Sequence, residues 1–104
     1  MSFSAELRIP ADHASLPGHF PGSPVVPGVV LLDQVVQATE SHLGYGLEIV
    51  GLPQVKFPAS LLPEESATVV VEFQGTRLRF QIVARDDARV IAQGIFALAR
   101  EVRS

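Results

Sequence analysis

Six of the eleven residues in Gly18-His19-Phe20-Pro21-Gly22-Ser23-Pro24-Val25-Val26-Pro27-Gly28 are proline or glycine, and a strongly apolar run follows at once. The prolines fix φ and push the residues before them out of the helical region, while the glycines open conformations closed to other residues. Such a segment can be neither a helix nor a central strand. It is a constrained loop that delivers the chain into whatever begins at Gly28. A loop so restricted, holding a single histidine, fixes where His19 points.

Proline is favoured at a helix start and glycine just past a helix end, so Pro27-Gly28 and Gly44 bracket a helix running to about Leu43. Val29, Leu31, Leu32, Val35, Val36, Ala38 and Leu43 make it apolar over most of its circumference. A helix of that kind is expected to be buried on most sides. Asp33, Gln37 and Glu40 form one narrow polar stripe along it.

The remainder reads as strands. Phe3 to Ile9 alternates, and Pro10 ends it. Leu47 to Phe57 is extended with a kink expected at Pro53, and Pro58 to Glu65 is a loop. Ser66–Gln74 and Arg77–Arg85 form a hairpin about Gln74-Gly75-Thr76, with Leu78, Phe80, Ile82 and Ala84 inward. Arg89 to Ala99 is the last strand, with Gly94 as an expected bulge. One helix among antiparallel strands predicts a single α+β domain over residues 1–104, its sheet wrapped around the helix.

His19 and Asp33 are the two strong acid–base candidates. Histidine titrates near neutral pH without help and can act as a base. A carboxyl acts as a general acid only while it keeps its proton; holding an aspartic acid protonated at pH 7 costs about 4 kcal/mol, which apolar burial can supply. Asp33 falls among Leu32 and Val35 on the apolar helix, where an unpaired carboxylate would be costly for stability alone. Gly28 and Val29 open the helix. Their N–H groups have no intrahelical acceptor and lie at the positive end of the helix dipole, where a carbonyl oxygen would be polarised. Together these groups suit removal of a proton beside a carbonyl and loss of a neighbouring group. Taken singly, each has a plainer reading: a loop histidine at the surface, and an aspartate hydrogen-bonded by Gln37. His13, His42, Glu40, Glu64 and Glu65 read as solvent-facing, and no metal-ligand spacing or phosphate loop is present in the sequence.

Composition narrows the classes. The chain has no cysteine, so thiol catalysis is excluded, and its net charge of −3 argues against a nucleic-acid binder. No apolar stretch reaches the length needed to span a bilayer, and the first residues lack the features of a secretory leader, so a cytoplasmic location is expected. Hydrophobic residues make up 47% of a 104-residue chain, which favours apolar surface reserved for a partner or an acyl ligand. Seven of the eight basic residues lie from Lys56 onward, where an acidic partner could dock.

The run Gly18-His19-Phe20-Pro21-Gly22-x-Pro24-x-x-Pro27-Gly28-Val29, followed by Asp33 and Gln37, resembles the signature of the β-hydroxyacyl-ACP dehydratases of the FabZ/FabA type. The resemblance implies a hotdog fold and elimination of water from a 3-hydroxyacyl thioester on acyl carrier protein, without cofactor or metal. It implies His19 and Asp33 as the catalytic pair, Gly28 and Val29 as backbone donors to the thioester carbonyl, and Phe20 and Gln37 in support. It also implies sites shared between two subunits, in a homodimer or larger homo-oligomer, or in a heterodimer with another hotdog protein. Two other activities fit the same resemblance: a dehydratase that also isomerises the double bond, and a non-catalytic acyl-binding subunit. Pro63-Glu64-Glu65 stands where relatives more usually have Pro-Gly-Asp, and Ser23 where many have His or an acid. The short chain is similar to the small stand-alone dehydratases of aryl-polyene or specialised lipid synthesis.

Overall fold

The computed structural model describes residues 1–12 and 25–102. Strand β1 (Ser2–Leu7) is followed by helix α1 (Gly28–Leu43) and then by β2 (Ile49–Lys56), β3 (Ala67–Gln74), β4 (Arg77–Ala84) and β5 (Val90–Leu98). The strands form one antiparallel sheet in the order β1-β3-β4-β5-β2. Strands β1 and β2 are therefore opposite edges, and the chain must cross the whole sheet between them. Four inter-strand gaps span roughly 19 Å. A 16-residue helix is about 24 Å long, so α1 makes that crossing over one face.

Alternation sets the face. Leu78, Phe80, Ile82 and Ala84 of β4 are buried with Val69 and Val71 of β3, while Arg77 and Arg79 point outward. Leu31, Val35 and Thr39, spaced by four, are the helix's contribution to this core. Buried Thr39 donates its hydroxyl to the Val35 carbonyl at 2.8 Å, so its polar atom is satisfied inside the helix. The helix ends where expected: Gly44 adopts φ 85°, and its N–H reaches the Glu40 carbonyl at 2.8 Å. Gly75 turns the β3–β4 hairpin at φ 60°.

Several expectations need correction. Strand β1 stops at Leu7, although Ile9 is fully buried beyond it. Gly94 is not a bulge: it pairs in register with Phe80. A β-carbon there would sit 2.4 Å from the Gln54 carbonyl oxygen and 2.9 Å from the Phe80 ring, so close approach is what demands glycine. The irregularity lies at Ile91, between the pairs Ile82↔Ala92 and Val83↔Val90, and both Ile91 and Ala92 are buried. Strand β2 does break register around Pro53, between Gly51 and Gln54. The helix is not buried on most sides: Val29, Asp33, Gln37 and Ser41, again spaced by four, form an exposed stripe.

Candidate active site

The N-terminus of α1 is built by backbone geometry. Pro27 is extended (φ −62°, ψ 146°), and its carbonyl accepts the first helical bonds from Val30 and Leu31 at 3.0 and 3.3 Å. Gly28 and Val29 therefore come ahead of the first intrahelical donors. The first turn carries no acidic residue and no side-chain cap, so the helix itself does not neutralise its positive end. Phe57, at the end of β2, points its ring at Gly28. A β-carbon on Gly28 would lie 2.8 Å from the ring tip, so this glycine is what lets the aromatic close over the helix start. An open cleft of about 370 Å³ runs beside them, lined by Val26, Gly28, Leu31, Phe57 and Leu61.

Asp33 lies five residues along, on the exposed stripe. Its Oδ2 accepts a hydrogen bond from the Gln37 amide at 2.6 Å, as the i,i+4 spacing allows. The apolar surroundings expected around this carboxylate are absent among the described residues, because its apolar neighbours in sequence turn away from it: Val35 is fully buried and Leu32 packs against the core. The helix thus carries Val29, Asp33 and Gln37 along one exposed face, with Gly28 at its start. His19, Phe20 and His13 lie outside the described residues. His42 stands at the far end of the helix, stacked on Phe3 with centroids 4.2 Å apart. Nine residues of helix rise, roughly 13 Å, separate it from Asp33.

Three acidic residues read as solvent-facing have defined work. Half-buried Glu40 accepts the Leu47 N–H at 2.7 Å and closes the turn after the helix. Glu65 accepts the Leu62 N–H and pairs with Arg89 at 2.7 Å. Arg89 also holds Asp87 at 2.7 Å and the Ser60 carbonyl at 3.2 Å. The Arg89 hydrogen bond, then the Leu62 N–H, holds the Glu65 carboxyl below the usual glutamate range. Glu64 is bonded to the chain just after β1. The Arg89–Glu65 and Arg8–Glu64 pairs join positions 24 and 56 residues apart, and only the extended stretch from Lys56-Phe57 into the loop marked this region in the sequence. A second cleft, of about 390 Å³, lies at the other end of the molecule between Tyr45, Glu48, Leu98 and Arg100, away from Gly28 and Asp33.

A family model described as ApeI-like, ApeI dehydratase, matches residues 1–95. The chain belongs to the ApeI-like dehydratase family. Curated relatives include the 3-hydroxyacyl-[acyl-carrier-protein] dehydratase FabZ of Klebsiella pneumoniae, 30% identical over 80% of this chain and 63% of its own length. The FabZ of Escherichia coli is 28% identical over 92% of this chain and 72% of its own. The chain thus spans less than two thirds of the Klebsiella relative. Among solved structures, the dehydratase heterocomplex ApeI:P from Xenorhabdus doucetiae superposes with a TM-score of 0.82 at 24% identity, covering 95% of this chain and 88% of that one. A 1,4-dihydroxy-2-naphthoyl-CoA thioesterase from Synechocystis superposes with a TM-score of 0.71 at 15% identity, covering 92% and 79%. One helix across a five-stranded antiparallel sheet is the hotdog fold, as the sequence predicted. A thioesterase shares this fold at 15% identity, so the fold alone does not choose a reaction.

Proposed function

We propose that this ApeI-like protein converts a 3-hydroxyacyl thioester on acyl carrier protein to the trans-2-enoyl thioester and water. The observation that carries the reading is Asp33, held by Gln37 on the open face of the helix whose unneutralised N-terminus is Gly28-Val29, in a chain of a dehydratase family. The thioester carbonyl accepts from the helix-start N–H groups, which favours the enolate-like charge that develops when the C2 proton leaves. His19 takes that proton. The electron pair forms the C2–C3 double bond, the C3–O bond breaks, and Asp33 gives its proton to the departing hydroxyl, which leaves as water. Phe57 and the cleft beside it give the acyl chain an apolar wall.

A general acid on an exposed helix face needs cover. A second chain packed over Val29, Asp33 and the exposed edge residues Val50 and Phe57 provides it, and brings a second His19 to the site. We assign that second chain as another copy. A different hotdog protein in its place is favoured by one observation, the heterocomplex formed by the Xenorhabdus relative.

The test is turnover of a 3-hydroxyacyl thioester by His19→Ala and Asp33→Asn. Each loses on the order of 10²–10⁴-fold in rate. Near-normal turnover in either variant defeats the assignment.

A further inference from the structure

Gly28 opens α1 without a backbone reason. Among the described residues the glycines with positive φ are Gly44 and Gly75, and a helix prefers alanine to glycine. Its reason is Phe57. A β-carbon on Gly28 would lie 2.8 Å from Cζ of that ring and 3.1 Å from each Cε, so the ring meets the helix start tip-first. The backbone holds Phe57 from both sides. Lys56 pairs with Gln93 in the sheet, and Pro58 confines the residue before it. Yet Phe57 is 44% exposed and lies outside the hydrophobic core, so core packing does not explain its place.

The ring is one wall of the cleft of about 370 Å³ beside Gly28, and buried Val26, Leu31 and Leu61 are its floor. Among the described residues, Ser60 supplies the polar side chain on its lining. Two backbone carbonyls there are already engaged, that of Leu61 by the Val26 N–H at 2.9 Å and that of Ser60 by Arg89 at 3.2 Å. The cleft therefore suits an apolar occupant, and its size falls within the roughly 300–1,000 Å³ of small-molecule sites. It shares Gly28 with the helix start proposed to receive the thioester carbonyl, so its occupant is part of the same molecule. The pantetheine arm of that molecule carries amide groups that need partners, whereas the acyl arm beyond C3 carries none.

We infer that Phe57 is the specificity-determining residue for the acyl chain: its ring, seated on Gly28, walls the cleft along which the carbons beyond C3 lie. This rests on the dehydratase reading for the identity of the chain. A short chain ends before the wall. Each further methylene buried against it tightens binding by roughly fourfold. The outer side of the ring is left for the second copy, and the tip and inner side select the substrate.

The experiment measures dissociation constants for the butanoyl and octanoyl thioesters of pantetheine, which lack the 3-hydroxyl and cannot lose water. The proteins are the parent, Phe57→Ala, Phe57→Leu, Gly28→Ala, Gly28→Ala combined with Phe57→Ala, and Leu62→Ala. Melting temperature and oligomeric state are recorded for each. The parent should bind the octanoyl thioester roughly 30-fold or more tightly than the butanoyl one. Phe57→Ala should lose about 10-fold or more on octanoyl and stay within about threefold on butanoyl, and Phe57→Leu should keep most of the preference. Gly28→Ala should lose the preference as well, because its methyl displaces the ring, and should add nothing once Phe57 is alanine. Leu62 is exposed in the same loop but is not on the cleft, so Leu62→Ala should bind as the parent does. The proposal is overturned if the parent shows no preference, or if Phe57→Ala weakens both ligands alike, as loss of the second copy would. It is overturned equally if the Gly28 and Phe57 effects simply add, or if Leu62→Ala abolishes the preference. Turnover of 3-hydroxyoctanoyl pantetheine by the parent is read separately. Its absence sinks the dehydratase reading, while the binding series still decides the role of Phe57.

Discussion

The two faces of α1 differ by about half a turn and by almost everything else. Leu31, Val35 and Thr39 are shut against the sheet, and every polar atom among them has a partner. Val29, Asp33 and Gln37 stand open, and among the described residues the side-chain bond there joins Asp33 to Gln37. Among the described residues the Asp33 carboxylate is bonded by Gln37 of its own helix, whereas the closed face is what holds the helix to the sheet. The contrast separates residues that hold the helix to the sheet from residues proposed to do chemistry, on one element and two positions apart.

That separation can be broken experimentally. Val35→Ala leaves a cavity at a fully buried site and should cost about 2–3 kcal/mol in stability. Turnover of the remaining folded protein should stay near parental below its melting temperature. Asp33→Asn should do the reverse, melting as the parent does while turnover collapses. Denaturant unfolding and thioester turnover, measured on both, check the pair. If Val35→Ala lost turnover as deeply as Asp33→Asn, the two faces would not be functionally distinct.

A smaller effect concerns the loop that follows Phe57. Arg89 holds Glu65 through its side chain, and Asp87 first through its backbone N–H and then its side chain, so both carboxyls lie below their ordinary values. The folded state therefore binds these protons less readily than the unfolded chain. The stability they contribute is whole above the ordinary glutamate value of 4.5 and is lost as pH falls through the lowered folded values. Melting temperature against pH should fall more steeply below that point in the parent than in Arg89→Met, and the two curves should converge in acid. Parallel curves would mean that the cluster is not formed in solution.

Much of this was legible in the sequence. Pro27-Gly28 and Gly44 bracket the helix exactly as local backbone rules require, and the alternation of Leu78, Phe80, Ile82 and Ala84 announced the inward face of β4. What stayed hidden depends on where distant parts meet. Periodicity showed that α1 is apolar but could not say which side its own sheet would cover, so Asp33 was expected to be buried. Gly94 looked like a bulge because its neighbours Gln54 and Phe80 are contributed by other strands, while the real irregularity at Ile91 hides in a run of apolar residues. Glu64 and Glu65 read as solvated charge because Arg8 and Arg89 are far away along the chain. Of the residues singled out for chemistry, Gly28, Val29, Asp33 and Gln37 fall on one helix, while His19 and Phe20 lie outside the described residues.

The central claim is that the open face of α1 is half of a site completed by His19 of a second copy. The direct measurement is complementation: His19→Ala and Asp33→Asn, each inactive alone, are mixed under conditions that exchange subunits, and thioester turnover is read. Half of the dimers then carry one variant of each kind, and each of those has one intact site of two. Turnover should return to about a quarter of the parental rate. A mixture no more active than its components, with subunit exchange verified, would contradict the account.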